Sequence, residues 1–255
     1  MDINDFEKWV FKDFKIDLSA YKSNQLHRRI LSLMSRVGTK SIDEYVELLK
    51  KDKDQRQKFL DFITINVTEF FRNPEIFDDL GKSIEKELLP YNKSLKIWSA
   101  ACSIGSEPYS IAMILQALEA TLKHRIIATD LDNTILERAK KGEYVLSEIK
   151  NVKKEFITKY FIIIEEKYLI TPAIKNMVTF KKHDLILDNY EKDFDLIVCR
   201  NVVIYFNQDI KNVIYKKFSD SLKKGGLLFV GATESIYNYK EYGFEKVSTF
   251  IYKKI

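Results

Sequence analysis

The chain has 255 residues, with 42 Lys and Arg against 37 Asp and Glu, a formal charge of +5. Hydrophobic residues make 45% and charged residues 31%, while Gly (8) and Pro (4) are scarce against a usual combined share of about 12%. Collagen-like, low-complexity and loop-dominated chains are thereby excluded, and the mixed charge signs impose no nucleic-acid partner.

No apolar run approaches the roughly 18 residues of a membrane span, and the acidic start, Met1–Glu7, lacks a signal-peptide stretch. Two cysteines, Cys102 and Cys199, are too few for a disulfide scaffold, and three scattered histidines have no metal-ligand spacing. A cytoplasmic monomer with free thiols and no metal is expected.

Residues 1–70 read as a small helical domain. Leu26, Ile30, Leu33, Met34 and Val37 form one apolar stripe at helical spacing, and Gly38 stops that helix. Ser41-Ile-Asp-Glu44 reads as a capping box for a helix through Tyr45, Leu48 and Leu49. Phe59, Phe62 and Ile63 mark another helix, and residues 71–92 a linker helix.

From residue 93 to 255 short β-branched runs alternate with helical stretches. The predicted strands begin at Ile97, Arg125, Val178, Phe194 and Leu227. The helices between them run from about Pro108, over Thr134–Lys141 with Gly142 as stop, and over Val213–Leu222, closed by Gly225-Gly226. The alternation implies an α/β, doubly wound, Rossmann-like sheet. Residues 156–176 break the pattern and read as a small antiparallel β insertion, and Phe244–Lys253 as a closing hairpin.

Ligands of doubly wound sheets sit at the carboxyl ends of the strands. After the first predicted strand come Ser99–Pro108, with one glycine, Gly105, and Glu107 at a helix start. After the second comes Asp130, placed to take both hydroxyls of a ribose. A pyrophosphate needs several glycines and no carboxylate at the first turn. The ligand is therefore read as ribose-bearing, cationic and free of phosphate, which fits S-adenosylmethionine.

Five runs then carry a family resemblance: Thr64–Arg72, Ile97–Ser110, Ala128–Asp132, Phe194–Phe206 and Gly225–Ser235. In order and across essentially the whole chain, they resemble the chemotaxis receptor methyltransferases, the CheR family. The resemblance implies a class I methyltransferase domain. It implies transfer of a methyl group from S-adenosylmethionine to glutamate carboxylates on the cytoplasmic helices of methyl-accepting chemoreceptors. It places the cofactor on Asn66, Thr68, Arg72, Glu107, Asp130, Asp184, Leu185, Asn201 and Val202, and the reacting end at Arg72 and Tyr205. The family usually has Asn where Asp184 stands, which removes a donor.

A glutamate carboxylate is already ionised at pH 7, so no general base is needed. On the helix from Tyr21 to Val37, Arg28, Arg29 and Arg36 form a basic face suited to acidic receptor helices. Some family members also bind a receptor tail along the edge of the insertion. Here the turn Ile164–Tyr168 is short, has no glycine and carries two adjacent carboxylates, which predicts loss of that contact. Two rival readings remain open: a nucleic-acid methyltransferase, and a non-catalytic cofactor-sensing module. Against the first, Arg200-Asn-Val-Val-Ile-Tyr205 stands where base methylases carry an Asn-Pro-Pro-Tyr type turn, and no aromatic-interleaved basic patch is present.

Overall fold

The computed structural model describes residues 1–64, 68–119 and 121–255. The chain forms two compact units, Met1–Asn66 with Tyr205–Asn212, and Val67–Ile204 with Val213–Ile255.

The first unit holds helices α1 (Ile3–Phe14), α2 (Ser23–Val37), α3 (Ile42–Lys51) and α4 (Lys53–Thr64). Asp2 caps α1 by accepting the Asp5 amide at 2.8 Å. The stripe of α2 is buried at Leu26, Ile30, Leu33 and Met34, and Gly38 ends the helix in the left-handed region at φ 76°. The α3 start differs from the expected capping box. Ser41 accepts the Glu44 amide, but the Glu44 carboxylate reaches the Lys40 amide at 2.7 Å, one residue earlier than the motif requires. The centre of the unit is aromatic. Phe59 lies edge-on to Phe6 and Phe14 at 6.0 and 5.2 Å, and Trp9 packs on both partners. Truncating a buried ring of this kind costs about 3–5 kcal/mol. The segment Tyr205–Asn212 joins the unit as a short strand-like pairing: Phe206 bridges Tyr21, and the Lys22 amide donates to the Tyr205 carbonyl at 2.9 Å.

The second unit begins with α5 (Pro74–Ser83), which runs on into a π-helical turn over Ile84–Leu88. There follow β1 (Lys96–Ala100), α6 (Ser106–Leu118), β2 (Arg125–Asp130), α7 (Asn133–Lys141), β3 (Glu143–Tyr144), α8 (Leu146–Ile149) and α9 (Lys154–Tyr160). Next come β4 (Phe161–Ile164), β5 (Lys167–Ile170), α10 (Pro172–Lys175), β6 (Val178–Lys182) and β7 (Phe194–Cys199). The unit closes with α11 (Gln208–Ser221), whose first residues group with the helical unit, then β8 (Leu222–Val230), β9 (Phe244–Lys246) and β10 (Ile251–Lys254).

Among the described residues the larger sheet runs β6-β2-β1-β7-β8-β10-β9. Its pairs are parallel through β8, and antiparallel for β10 with β8 and with β9. The expected doubly wound sheet and closing hairpin are thus present. All six residues of β7 are buried, as a strand covered on both faces requires. Trp98 on β1 donates its indole N–H to Thr129 at 2.9 Å and stacks on Phe194 at 5.5 Å.

Gly225-Gly226 does not close the last helix. That helix ends at Ser221, and the glycines lie inside β8. Pairing with β7 slips between Phe194 and Leu196, and Gly225 takes φ 81° there, so the two glycines absorb a bulge. The expected antiparallel insertion is present, and among the described residues it forms a three-stranded sheet, β3-β5-β4, whose strand β3 comes from before residue 156. Its edge strand β4 exposes Ile162, Ile163 and Ile164, at 47%, 56% and 53%.

Candidate active site

The order of the larger sheet reverses between β1 and β7. Such sheets bind ligands outside the strand ends at this switch point. The turns after β1 and β7, and the end of β2, supply the chemistry.

In the turn after β1, Gly105 stands at φ 86°, and a Cβ there would lie 3.0 Å from that of Ala139. Ala101 and Ser103 also take positive φ, 62° and 49°, each at a cost of order 1–3 kcal/mol. Sequence reading found the glycine but not these two. Asp130 holds the strained turn by accepting the Ser103 amide at 2.8 Å, and Tyr144 donates to the Ile104 carbonyl at 2.7 Å. The other Asp130 oxygen accepts the Asp132 amide at 3.2 Å. A carboxylate offers about four acceptor sites, and with the Leu131 amide also pulling on this group, acceptor capacity is left for a ribose hydroxyl. Burial pushes the Asp130 carboxyl up, against the pull of these amides.

Glu107 stands in the first turn of α6 and accepts the Ser99 hydroxyl at 2.7 Å. Its surface is only partly covered, yet protein surrounds it in depth, and this desolvation outweighs its neighbours. Its carboxyl is pushed up to about 7, with Arg200, Ser99 and Arg72 pulling down and Glu234 adding to the rise. A carboxyl ringed by protein, with no cation bonded to it among the described residues, suits an incoming ammonium. The pair Asp130 and Glu107 therefore fits a ribose-bearing cation such as S-adenosylmethionine.

The other expected cofactor residues fall as follows. Asn66 lies outside the described residues. The Thr68 hydroxyl is 2.9 Å from that of Ser106, at the start of α6. Arg72 is half-buried, and its carbonyl accepts from Arg200 at 2.8 Å. The Asp184 carboxylate closes its own turn, accepting the amides of Ile186 at 2.7 Å and Leu187 at 3.2 Å. Leu185 is buried, its carbonyl accepting the Tyr190 hydroxyl at 2.6 Å. The amides of Asn201 and Val202 both donate to Glu234. Cys102 and Cys199 are free and buried.

Tyr205 belongs to the helical unit. With Tyr21, Lys22, Leu26 and Arg29 it lines a cavity of about 20 Å³. Arg29 is half-buried. It donates to the Phe62 carbonyl and lies 4.3 Å over that ring, and its burial lowers its pKa. Arg28 and Arg36 are exposed. Among the described residues no cluster has the make-up of a metal site, and no helix is long and apolar enough to cross a membrane.

Residues 66–252 match the CheR methyltransferase SAM binding domain, and residues 1–64 the CheR methyltransferase all-alpha domain. The chain belongs to the CheR methyltransferase family. The chemotaxis protein methyltransferase of Listeria innocua is 42% identical over 250 residues, spanning 98% of this chain and 95% of its own length. That of Borreliella burgdorferi is 36% identical over 261 residues, 97% of this chain and 92% of its own. That of Escherichia coli is 32% identical over 236 residues, 89% and 81%. This CheR-family chain is accordingly a methyltransferase with S-adenosylmethionine as its methyl source.

Two residues of the site escape motif reading. Arg200 and Glu234 lie inside the resembling runs, yet nothing in their spacing announces that each is buried against backbone.

Proposed function

We propose that this protein esterifies glutamate side chains on the cytoplasmic helices of chemoreceptors, in chemotaxis adaptation. The observation that carries the reading is the Asp130–Glu107 pair at the switch point, within a chain whose relatives are chemotaxis protein methyltransferases. When bound, S-adenosylmethionine supplies a methyl on a sulfonium, and the sulfur keeps the bonding pair when a carboxylate oxygen takes that methyl.

Asp130 binds the ribose and Glu107 the ammonium, and Thr68, Asn201 and Val202 complete the pocket. Arg72 steers the substrate carboxylate, and the Tyr205 hydroxyl holds one of its oxygens. The accepting glutamate is ionised at neutral pH, so these residues orient rather than remove a proton. Orientation of this kind supplies about 7–11 kcal/mol at most. Two opposite charges disappear along the path, so a pocket that excludes water favours transfer over the solvated ground state.

The exposed Arg28 and Arg36, with Arg29 behind them, supply a positive face for acidic receptor helices. The test is transfer of labelled methyl to a receptor cytoplasmic fragment and to RNA. Base-labile label on the fragment alone is expected. Base-stable label, or label on RNA, refutes the ester.

A further inference from the structure

Glu234 follows β8 and is 4% exposed. One of its oxygens accepts the amides of Val202 at 2.8 Å and Ile204 at 3.4 Å. The other accepts the amides of Asn201 and, at 2.9 Å, Gly231. Asn201 stands at φ 61°, a left-handed conformation that asparagine tolerates better than other residues with a side chain, and the Glu234 carboxylate bonds its amide there. At Gly231 a Cβ would lie 2.3 Å from the Glu234 carboxylate, so glycine is needed for the close approach of that group. An ionised carboxylate is the one side chain of this size with acceptor sites for four donors and no donor of its own.

Arg200, 6% exposed, does the matching work on the turn before α5. It donates to the Arg72 carbonyl at 2.8 Å and to the Asn73 side chain at 3.3 Å. Its guanidinium lies 4.9 Å from the Phe77 ring and 5.0 Å from the Phe229 ring. The turn it grips is strained at Phe71 and Asn73, at φ 48° and 63°. Consecutive residues, Arg200 and Asn201, thus tie together two turns that are 128 positions apart in sequence.

We propose that Arg200 and Glu234 are positioning residues for methyl transfer. Glu234 fixes the Asn201–Ile204 turn and Arg200 the Arg72–Asn73 turn, each in the shape that presents its neighbours to the cofactor. The inference rests on the reading of Asn201, Val202 and Arg72 as cofactor contacts. An apolar residue of equal volume would fill the space but leave four amides unpaired. An amide would turn an N–H against an N–H.

The test measures S-adenosylhomocysteine affinity by calorimetry and amide exchange residue by residue, on the full chain, in wild type, Glu234→Gln, Arg200→Lys and Asp130→Ala. Glu234→Gln should lose tenfold or more in affinity and raise the KM for S-adenosylmethionine more than it lowers kcat. Its exchange should quicken at residues 201–204 while the β1 and β7 amides keep wild-type rates. Arg200→Lys should show the same local quickening at residues 71–73. Should Glu234→Gln fail to fold, Gly231→Ala displaces the same carboxylate and should give the same signature. Wild-type affinity in Glu234→Gln, or quickened exchange spread evenly over the sheet, overturns the positioning role. If Asp130→Ala loses affinity and Glu234→Gln does not, only that role falls. If both keep it, the cofactor reading beneath it falls as well.

Discussion

Replacing Glu107 by Gln should make the protein more stable at pH 8 while impairing its function. The Glu107 carboxyl stands at about 7 rather than 4.5, chiefly because burial strips water from the charged form. The folded state therefore binds the proton more tightly than the unfolded one. Stability contributed by the neutral carboxyl is whole below pH 4.5 and is lost as the pH rises through about 7. At 1.36 kcal/mol per pH unit the interval corresponds to about 3 kcal/mol, and partial solvent contact trims this to about 2–3 kcal/mol. Gln keeps an acceptor for the Ser99 hydroxyl and cannot ionise. The opening free energy of the β1 and β7 amides, read by hydrogen exchange, should be about 2–3 kcal/mol higher in Glu107→Gln at pH 8. At pH 4.5 the two proteins should agree within about 0.5 kcal/mol, the usual scatter of a neutral substitution. Affinity for S-adenosylhomocysteine should fall at pH 8, where its ammonium loses an anionic partner, and far less at pH 4.5, where the wild-type carboxyl is already neutral. A variant no more stable than wild type at pH 8 refutes the claim that this carboxylate is held in the fold at a cost and retained for binding.

Arg72→Ala and Tyr205→Phe should keep near-native melting temperatures while methyl transfer collapses, and full activity in both disproves their assigned roles. Burial pushes the thiols of Cys102 and Cys199 well up, so a thiol reagent should label neither in the native protein and both after denaturation; a non-reduced mass two hydrogens light contradicts this. Receptor methylation should weaken with added salt and with Arg28→Ala plus Arg36→Ala, since exposed charges are screened over about 8–10 Å; salt-insensitive activity surviving both substitutions rules out docking by charge. Despite the three exposed isoleucines of β4, Glu165 and Glu166 at its turn should repel an acidic receptor tail, and micromolar binding of such a peptide would falsify that expectation.

What was legible in the sequence follows from local physics. Helix stops at Gly38 and Gly142 need one residue each, and both take the left-handed conformation. Parallel strands declare themselves as short apolar runs, and β2 and β7 lie where those runs are. Asp130 and Glu107, the carboxylates proposed to hold the cofactor, could be singled out because a strand end is a position a sequence can mark. Gly225-Gly226 misled because a glycine pair reads equally as a helix stop or a bulge, and only the pairing of Phe194 with Leu222 decides between them. The strain at Ala101 and Ser103 left no mark, since the Asp130 carboxylate that holds Ser103 comes from another strand. The Glu234 cradle was hidden for a related reason. Backbone amides carry no residue identity, so nothing in the letters of Asn201, Val202 and Ile204 shows which carboxylate they serve.

The chain has two tryptophans, and they fall one to each unit: Trp9 among the rings of the helical unit, Trp98 within the sheet. Trp98 is 2% exposed and bonded through its indole to Thr129, while Trp9 keeps contact with solvent. The sheet tryptophan should emit at shorter wavelength and resist quenching by iodide or acrylamide. Removing either one by substitution with Phe leaves a single fluorophore confined to one unit. Natural fluorescence can then record the denaturation of each unit separately in one intact chain, and show whether ligand binding raises the midpoint of one or of both.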